Sequence, residues 1–204
     1  MIGIAKTSAR WTITLNRPEK ANALTRLMLE DLVAAVAAAG AAQVPVVVLT
    51  GAGNVFSAGA DLDEARAGLS TDPLWERVSA ALADLDALTI CALNGTLAGG
   101  AFGMALACDI RLAVPGAGFF YPVMKLGFLP QPSDPARLVA LVGPARAKLV
   151  LMGGAKLTAE EALHFGLVER IVDRAQMDAA VDALAEAAQG ATGAHRVAIK
   201  TMCG

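Results

Sequence analysis

Two stretches without a single charged side chain, Leu32–Ala60 and Ala87–Cys108, dominate this 204-residue chain and limit what it can fold into. Each is long enough to cross a bilayer, so each must be buried, in lipid or in a protein core. Their punctuation favours the core. Gly40, Pro45 and the Gly51–Gly53 turn interrupt the first run, and Asn94-Gly95, a strong turn signal, interrupts the second. Asp31, Asp61, Asp86 and Asp109 bound the two runs, so the flanks are acidic where membrane spans carry lysine and arginine. Gly95, Gly99 and Gly103 share the four-residue spacing of packed membrane helices. Between acidic flanks they read as close packing in a soluble fold, and no membrane partner is expected.

With 55% hydrophobic and 18% charged residues the chain is not disordered. Its length suits one domain, which buries roughly 70% of the surface its unfolded chain exposes. The net charge of −2, without a basic block, and the few scattered aromatic residues argue against nucleic acid as a partner. Cys91, Cys108 and Cys203 form no CxxC pair, so neither a disulfide framework nor a metal site is expected. A reducing compartment fits, and Met1–Arg10 has no apolar signal core, so the expected location is the cytoplasm.

Along the chain, Ile2–Lys6 and Trp11–Leu15 read as strands. Thr25 is placed to cap a helix over Arg26–Ala39. Pro45–Thr50 and Thr89–Leu93 are short apolar runs expected to be strands buried on both faces. Each leads into a glycine-rich segment, read as a loop over Gly51–Asp61 and as a turn over Asn94–Ala98 that feeds a helix over Gly99–Cys108. Asp72-Pro73 opens a helix to about Asp86. Strands are expected at Asp109–Val114, Gly118–Tyr121 and Leu167–Val172, and a loop at Leu126–Pro135. Helices are expected at Ala136–Val142, Ala145–Met152, Thr158–Phe165 and Gln176–Ala188. The recurring unit is strand, strand, helix.

The two glycine-rich segments carry the chemistry. Small residues where a strand hands over to a helix let a ligand approach the main chain, and the free amides of the helix start point at it. Two such amides converging on one carbonyl oxygen stabilise negative charge developing there, each typically by about 3–4 kcal/mol. Neither segment is a nucleotide loop: the first lacks the Lys-Ser/Thr of a P-loop and the second lacks GxGxxG.

Several motifs in order make the chain resemble the crotonase (enoyl-CoA hydratase/isomerase) family. They are Leu15-Asn16-Arg17-Pro18-Glu19-Lys20-Ala21-Asn22-Ala23-Leu24, Phe56-Ser57-Ala58-Gly59-Ala60-Asp61-Leu62, Asn94-Gly95 with Ala98-Gly99-Gly100, and Ala107-Cys108-Asp109-Ile110-Arg111. Lys125-Leu126-Gly127 with Pro130, and Thr158–Ala162 with Gly166-Leu167-Val168, follow. The resemblance implies an α/β fold of repeated ββα units forming a spiral, a ClpP/crotonase-like fold. It implies an acyl-CoA substrate, with coenzyme A entering as part of that substrate and no permanently bound cofactor. The amides of Ala60 and Gly100 match the family's oxyanion hole. The Ala58 carbonyl matches the position that reads the adenine amino group, and Asp61, Leu62 and Asp63 continue that wall. The Asn16–Ala23 stretch resembles the edge against which the nucleotide end lies, where Lys20 or Arg17 would meet phosphates.

The sequence also departs from the family. Its hydratases use two glutamates, and here Gly103 and Val123 stand at those positions. Concerted addition of water needs one group to deprotonate the water and one to protonate the α-carbon, and neither residue can do this. Where other members place an aspartate after Lys-Leu-Gly, this chain has Gln131. Tyr121, Ser133 and Asp134 are the polar candidates left near the substrate end. Asp134 equally fits a helix cap, with Pro135 at the first helical position. His164 is expected to be structural and His195 to lie on the surface. Ordinary hydration is therefore doubtful, and decarboxylation, isomerisation, thioester hydrolysis or binding without turnover are the alternatives. The core domain is expected over 1–190, with 191–204 beginning a shortened C-terminal helical region. The family's homotrimer, or dimer of trimers, is the expected assembly.

Overall fold

A computed structural model describes residues 1–203. At the edge of its large sheet, β1 (Ile2–Lys6) pairs antiparallel with β2 (Arg10–Leu15). The remaining pairs, through β3 (Val46–Gly51), β5 (Leu88–Leu93), β7 (Ile110–Ala113) and β9 (Arg170–Ile171), are parallel. The six strands thus lie in the order β1-β2-β3-β5-β7-β9. Burial follows position. In β2, next to the edge, Trp11, Ile13 and Leu15 are buried while Arg10, Thr12 and Thr14 are partly exposed. In the central β3, Val46–Leu49 are all buried, as expected for a strand covered on both faces.

A second sheet stands apart from the first and has three parallel strands: β4 (Val55–Ser57), β6 (Thr96–Ala98) and β8 (Phe119–Phe120). Each ββα unit gives its first strand to the large sheet and its second to the small one: β3 then β4, β5 then β6, β7 then β8. This is the expected architecture of repeated ββα units, but two of its strands lie inside segments read as loop and turn. Phe56 and Ser57 in β4, and Leu97 and Ala98 in β6, are buried. Three-residue strands are too short to show a period.

The helices were better signposted. Thr25 accepts from the Met28 amide at 3.2 Å and caps α1 (Arg26–Ala41), whose Met28, Leu29, Leu32, Ala35, Val36 and Ala39 face the core. α2 spans Leu62–Arg66 and α3 spans Leu74–Ala83. α4 is Phe102–Ala107, shorter than expected because Gly99–Ala101 forms a 3-10 turn before it. α5 (Val123–Leu126) places one helical turn at the start of the expected loop. α6 (Asp134–Val142), α7 (Pro144–Leu151), α8 (Ala159–Phe165) and α9 (Met177–Gly190) follow. Thr158 and Glu161 close a capping box at α8. α10 (Gly193–Cys203) is tied to the sheet through Lys200, which donates to the Ala87 carbonyl at 3.1 Å and to Asp109 at 2.9 Å. Gly204 lies outside the described residues.

The two long uncharged runs are thus cut into α1, β3 and β4, and into β5, β6 and α4. No helix among the described residues is long and apolar enough to cross a membrane.

Candidate active site

The small sheet brings the two glycine-rich segments side by side. β4 and β6 are hydrogen-bonded neighbours, and the chain leaves both at the same end. Just beyond, Gly59 and Gly99 touch. A Cβ on Gly59 would lie 3.1 Å from the Ala98 carbonyl oxygen and 3.3 Å from the Gly99 Cα. Both glycines also have positive φ, 92° and 59°, so neither position suits a side chain. The next residues, Ala60 and Gly100, are both partly exposed. Ala60 sits beside Leu24 in a short parallel bridge. The flanking bonds run from the Leu24 amide to Gly59 O and from the Asp61 amide to Leu24 O, each 2.8 Å. The Ala60 amide itself donates to no acceptor among the described residues. Gly100 is in the first turn of the 3-10 helix, where an amide has no acceptor within the helix.

A polar scaffold, not anticipated from the sequence, holds these segments. Asn22 is fully buried and donates from Nδ2 to Ala52 O at 2.8 Å and Val55 O at 2.7 Å. Its Oδ1 accepts from the Arg17 amide, and its carbonyl accepts from the Ser57 hydroxyl. Asn94 accepts from the Gly51 amide and donates to Gly53 O and Val55 O. Arg174 spans both segments, donating to Gly53 O at 2.9 Å and to Asn94 O at 2.6 Å. The signal for Asn22 was its place in the Leu15–Leu24 motif. Arg174 had none, because it arrives from far along the chain.

The residues expected to meet the nucleotide end are placed as follows. Ala58 is exposed and its amide donates to Ala21 O. Leu62 and Asp63 are exposed, and Asp63 pairs with Arg66. Lys20 is exposed at the end of the Pro18–Lys20 3-10 turn. Arg17 is engaged elsewhere: it donates to Asp61 Oδ2 at 2.7 Å and to Ala23 O at 3.1 Å. Asp61 uses its other oxygen to cap α2, and the Arg17 guanidinium holds its carboxyl below the usual carboxylate range.

At the other end, Tyr121, Gln131 and Asp134 come together. The Tyr121 hydroxyl donates to Asp134 Oδ2 at 2.8 Å and accepts from the Gln131 amide at 3.4 Å. Its ring stacks on Phe102, centroids 5.2 Å apart. Asp134 is not the helix cap that its position before Pro135 suggested. It is the first residue of α6, Ser133 precedes it without a side-chain cap, and its carboxyl is fully buried. Burial, offset in part by the Tyr121 hydrogen bond and reinforced by the charge of Glu76, pushes its pKa up to about 7. Burial and the Asp134 carboxylate raise the Tyr121 phenol further still. Asp134 Oδ1 has no hydrogen-bond partner among the described residues.

α3 closes this end. A Cβ on Gly100 would meet the Trp75 ring at 3.1 Å, and one on Gly103 would meet Ser79 Oγ at 2.7 Å and Asp134 Oδ1 at 2.8 Å. Val123 is buried at the start of α5, while His164 and His195 are exposed. A separate cleft of about 620 Å³ lies between α9, α10 and the start of β5, lined by Leu88, Leu184, His195, Arg196, Ile199 and Lys200 among others. It includes none of the candidate catalytic or nucleotide-end residues above.

Residues 6–203 match the family model described as enoyl-CoA hydratase/isomerase. The chain belongs to that family. "Probable enoyl-CoA hydratase echA6" of Mycobacterium bovis is 41% identical over 175 residues, covering 84% of this chain and 70% of that protein. The 4-chlorobenzoyl coenzyme A dehalogenase-1 of an Arthrobacter species is 34% identical over 194 residues, 90% of this chain and 70% of the relative. Among solved structures, the enoyl-CoA hydratase of Bacillus anthracis superposes with a TM-score of 0.91 at 31% identity, covering 98% of this chain and 81% of that one. The crotonase fold is thereby shown, in a family whose members act on CoA thioesters.

Proposed function

We propose that the chain binds an acyl-CoA thioester and stabilises an enolate-like oxyanion with the amides of Ala60 and Gly100. The observation that carries this reading is the mutual approach of Gly59 and Gly99, which brings into contact the two segments that carry the Ala60 and Gly100 amides. The Ala60 amide, without an acceptor among the described residues, and the Gly100 amide, without one inside its helical turn, support it, since a free N–H at such a junction is a ready donor to a ligand oxygen. Coenzyme A enters as part of the substrate, its nucleotide end along Lys20, Ala23 and Ala58–Asp63. With Gly103 and Val123 in place of two glutamates, the reading is a lyase or isomerase reaction of an enolate rather than ordinary hydration. Assembly as a homotrimer belongs to the same reading, and the exposed Met124, Leu126 and Leu129 support self-association.

The test is a calorimetric titration with butyryl-CoA against free coenzyme A, combined with a crotonyl-CoA hydration assay. The thioester should bind more tightly than coenzyme A alone. Hydration should run at least ~10²-fold more slowly than in a family enzyme that keeps both glutamates. Hydration at the rate of such an enzyme would defeat the reading. Binding without turnover has one observation in its favour: the Trp75 ring lies directly over Gly100. It predicts thioester affinity with no proton transfer at all.

A further inference from the structure

We propose that Asp134 is the acid–base carboxylate of this site, delivered from α6 into the space left by the missing side chain of Gly103, where it removes and returns a proton of the bound acyl group. The inference rests on the thioester reading above and adds to it a residue and a class of step.

The geometry starts from α4. Gly103 follows Gly100 by three residues across the junction of the 3-10 turn and α4, so the two share a helical face and lie about 4.5–6 Å apart along the axis. That is the span from a thioester oxygen at the Gly100 amide to the first carbons of the acyl chain. A side chain from position 103 would begin 2.8 Å from Asp134 Oδ1 and 3.3 Å from Oδ2. The carboxyl therefore stands where a side chain rooted on α4 would stand, although its backbone belongs to α6. Glycine at 103 is a condition of this arrangement, because any Cβ there collides with the carboxyl.

A structural role accounts poorly for the same group. A fully buried carboxyl is costly unless it is paired and hydrogen-bonded. Asp134 forms no salt bridge among the described residues, and only Oδ2 is satisfied. Tyr121 fixes the carboxyl from one side and is itself fixed by its stack on Phe102. Oδ1 is left free to take a proton. The charged and titratable groups around it are Glu76 on α3, Arg137 on α6 and Tyr121. Ser79 and Trp75 of α3 cover the same face of α4, so an acyl group that reaches the carboxyl has to part α3 from α4.

The step balances without a co-reactant. Ionised Asp134 takes the proton from the α-carbon, and the C–H electron pair passes into the thioester as an enolate held by the two amides. The carboxylic acid then returns the proton, either to the α-carbon or to the γ-carbon of an unsaturated chain.

The experiment follows butyryl-CoA in D₂O by NMR for deuterium at the α-carbon. Conversion of 3-butenoyl-CoA to crotonyl-CoA by absorbance detects proton return that bypasses solvent. Wild type should perform at least one of these. Asp134→Asn should reduce it by about 100-fold while leaving the butyryl-CoA Kd within about threefold. The relocated pair Asp134→Ala with Gly103→Glu should recover at least about tenfold over Asp134→Ala alone, which reads whether a carboxyl placed in this space reaches the acyl group, while Asp134→Asn reads whether the native one does. If the double variant fails to fold, the near-isosteric Asp134→Asn decides alone. Wild type that binds the thioester but transfers no proton, or Asp134→Asn that transfers at the wild-type rate, overturns the proposal. Failure to bind any thioester instead overturns the reading on which it rests.

Discussion

Asp134 should weaken the fold in a manner that depends on pH, and replacing it with asparagine should relieve the loss. Its pKa rises from 3.8 to about 7 in the folded chain, chiefly through burial. Between those values the folded state keeps a proton that the unfolded state has released. Stability therefore falls as pH rises across this window. Below pH 3.8 both states are protonated and nothing is lost; above about 7 both are ionised and the loss is complete. A shift of about three units corresponds to roughly 4 kcal/mol at most, at 1.36 kcal/mol per unit. The amide introduced by Asp134→Asn keeps an acceptor for the Tyr121 hydroxyl but has no charge to bury. Urea unfolding of both proteins at several pH values, about 4 to 8.5, gives the difference directly, and titrations common to the two cancel. The advantage of Asp134→Asn should be near zero at the acid end, grow through the window and level off above about pH 7. A difference that is flat, or that grows toward acid, would refute the assignment of a buried, proton-holding carboxyl.

Two further outcomes follow from the scaffold. Gly95→Ala would place a Cβ 1.9 Å from the Asn54 carbonyl oxygen, a backbone atom that cannot rotate away. Destabilisation beyond about 4 kcal/mol is expected, read as failure to recover folded protein or as a collapse of the urea midpoint. Arg174→Ala frees the carbonyls of Gly53 and Asn94, and a loss of about 1–3 kcal/mol is expected with weaker butyryl-CoA binding. Arg174→Lys should recover only part of both, because one ammonium lacks the guanidinium fork that serves two carbonyls.

Much of the fold was legible because its buried strands are continuous apolar runs and its helices carry caps such as Thr25 and Thr158. β4 and β6 were hidden in glycine-rich stretches, since a strand of three residues is defined by its neighbours in the sheet and not by its own pattern. The two glycine-rich junctions were legible for a related reason: small residues at strand ends leave a local trace. Asp134 was visible as a candidate but its environment was not. The motif Ser133-Asp134-Pro135 describes a helix start equally well, and only the position of Tyr121, thirteen residues earlier in sequence, shows where the carboxyl turns. Arg174 and Trp75 act across long sequence separations, which a single chain does not advertise.

The parallel pairing of β4 with β6 has a metric consequence. Adjacent strands run about 4.8 Å apart. Two N–H donors that share one oxygen at about 2.9 Å each, along its two lone-pair directions, stand roughly 5 Å from each other. A pair of neighbouring strands thus already carries the gauge of a two-donor cradle. Ala60 and Gly100 each lie only a few residues beyond their strand ends, so the ladder acts as a ruler for them. On the proposed reading, this pairing, which is irregular between Val55 and Ser57, holds the gap between the two amides. The side chains around the cradle, Gly103 on α4 and Asp134 on α6 among them, can on that reading vary without resetting its width.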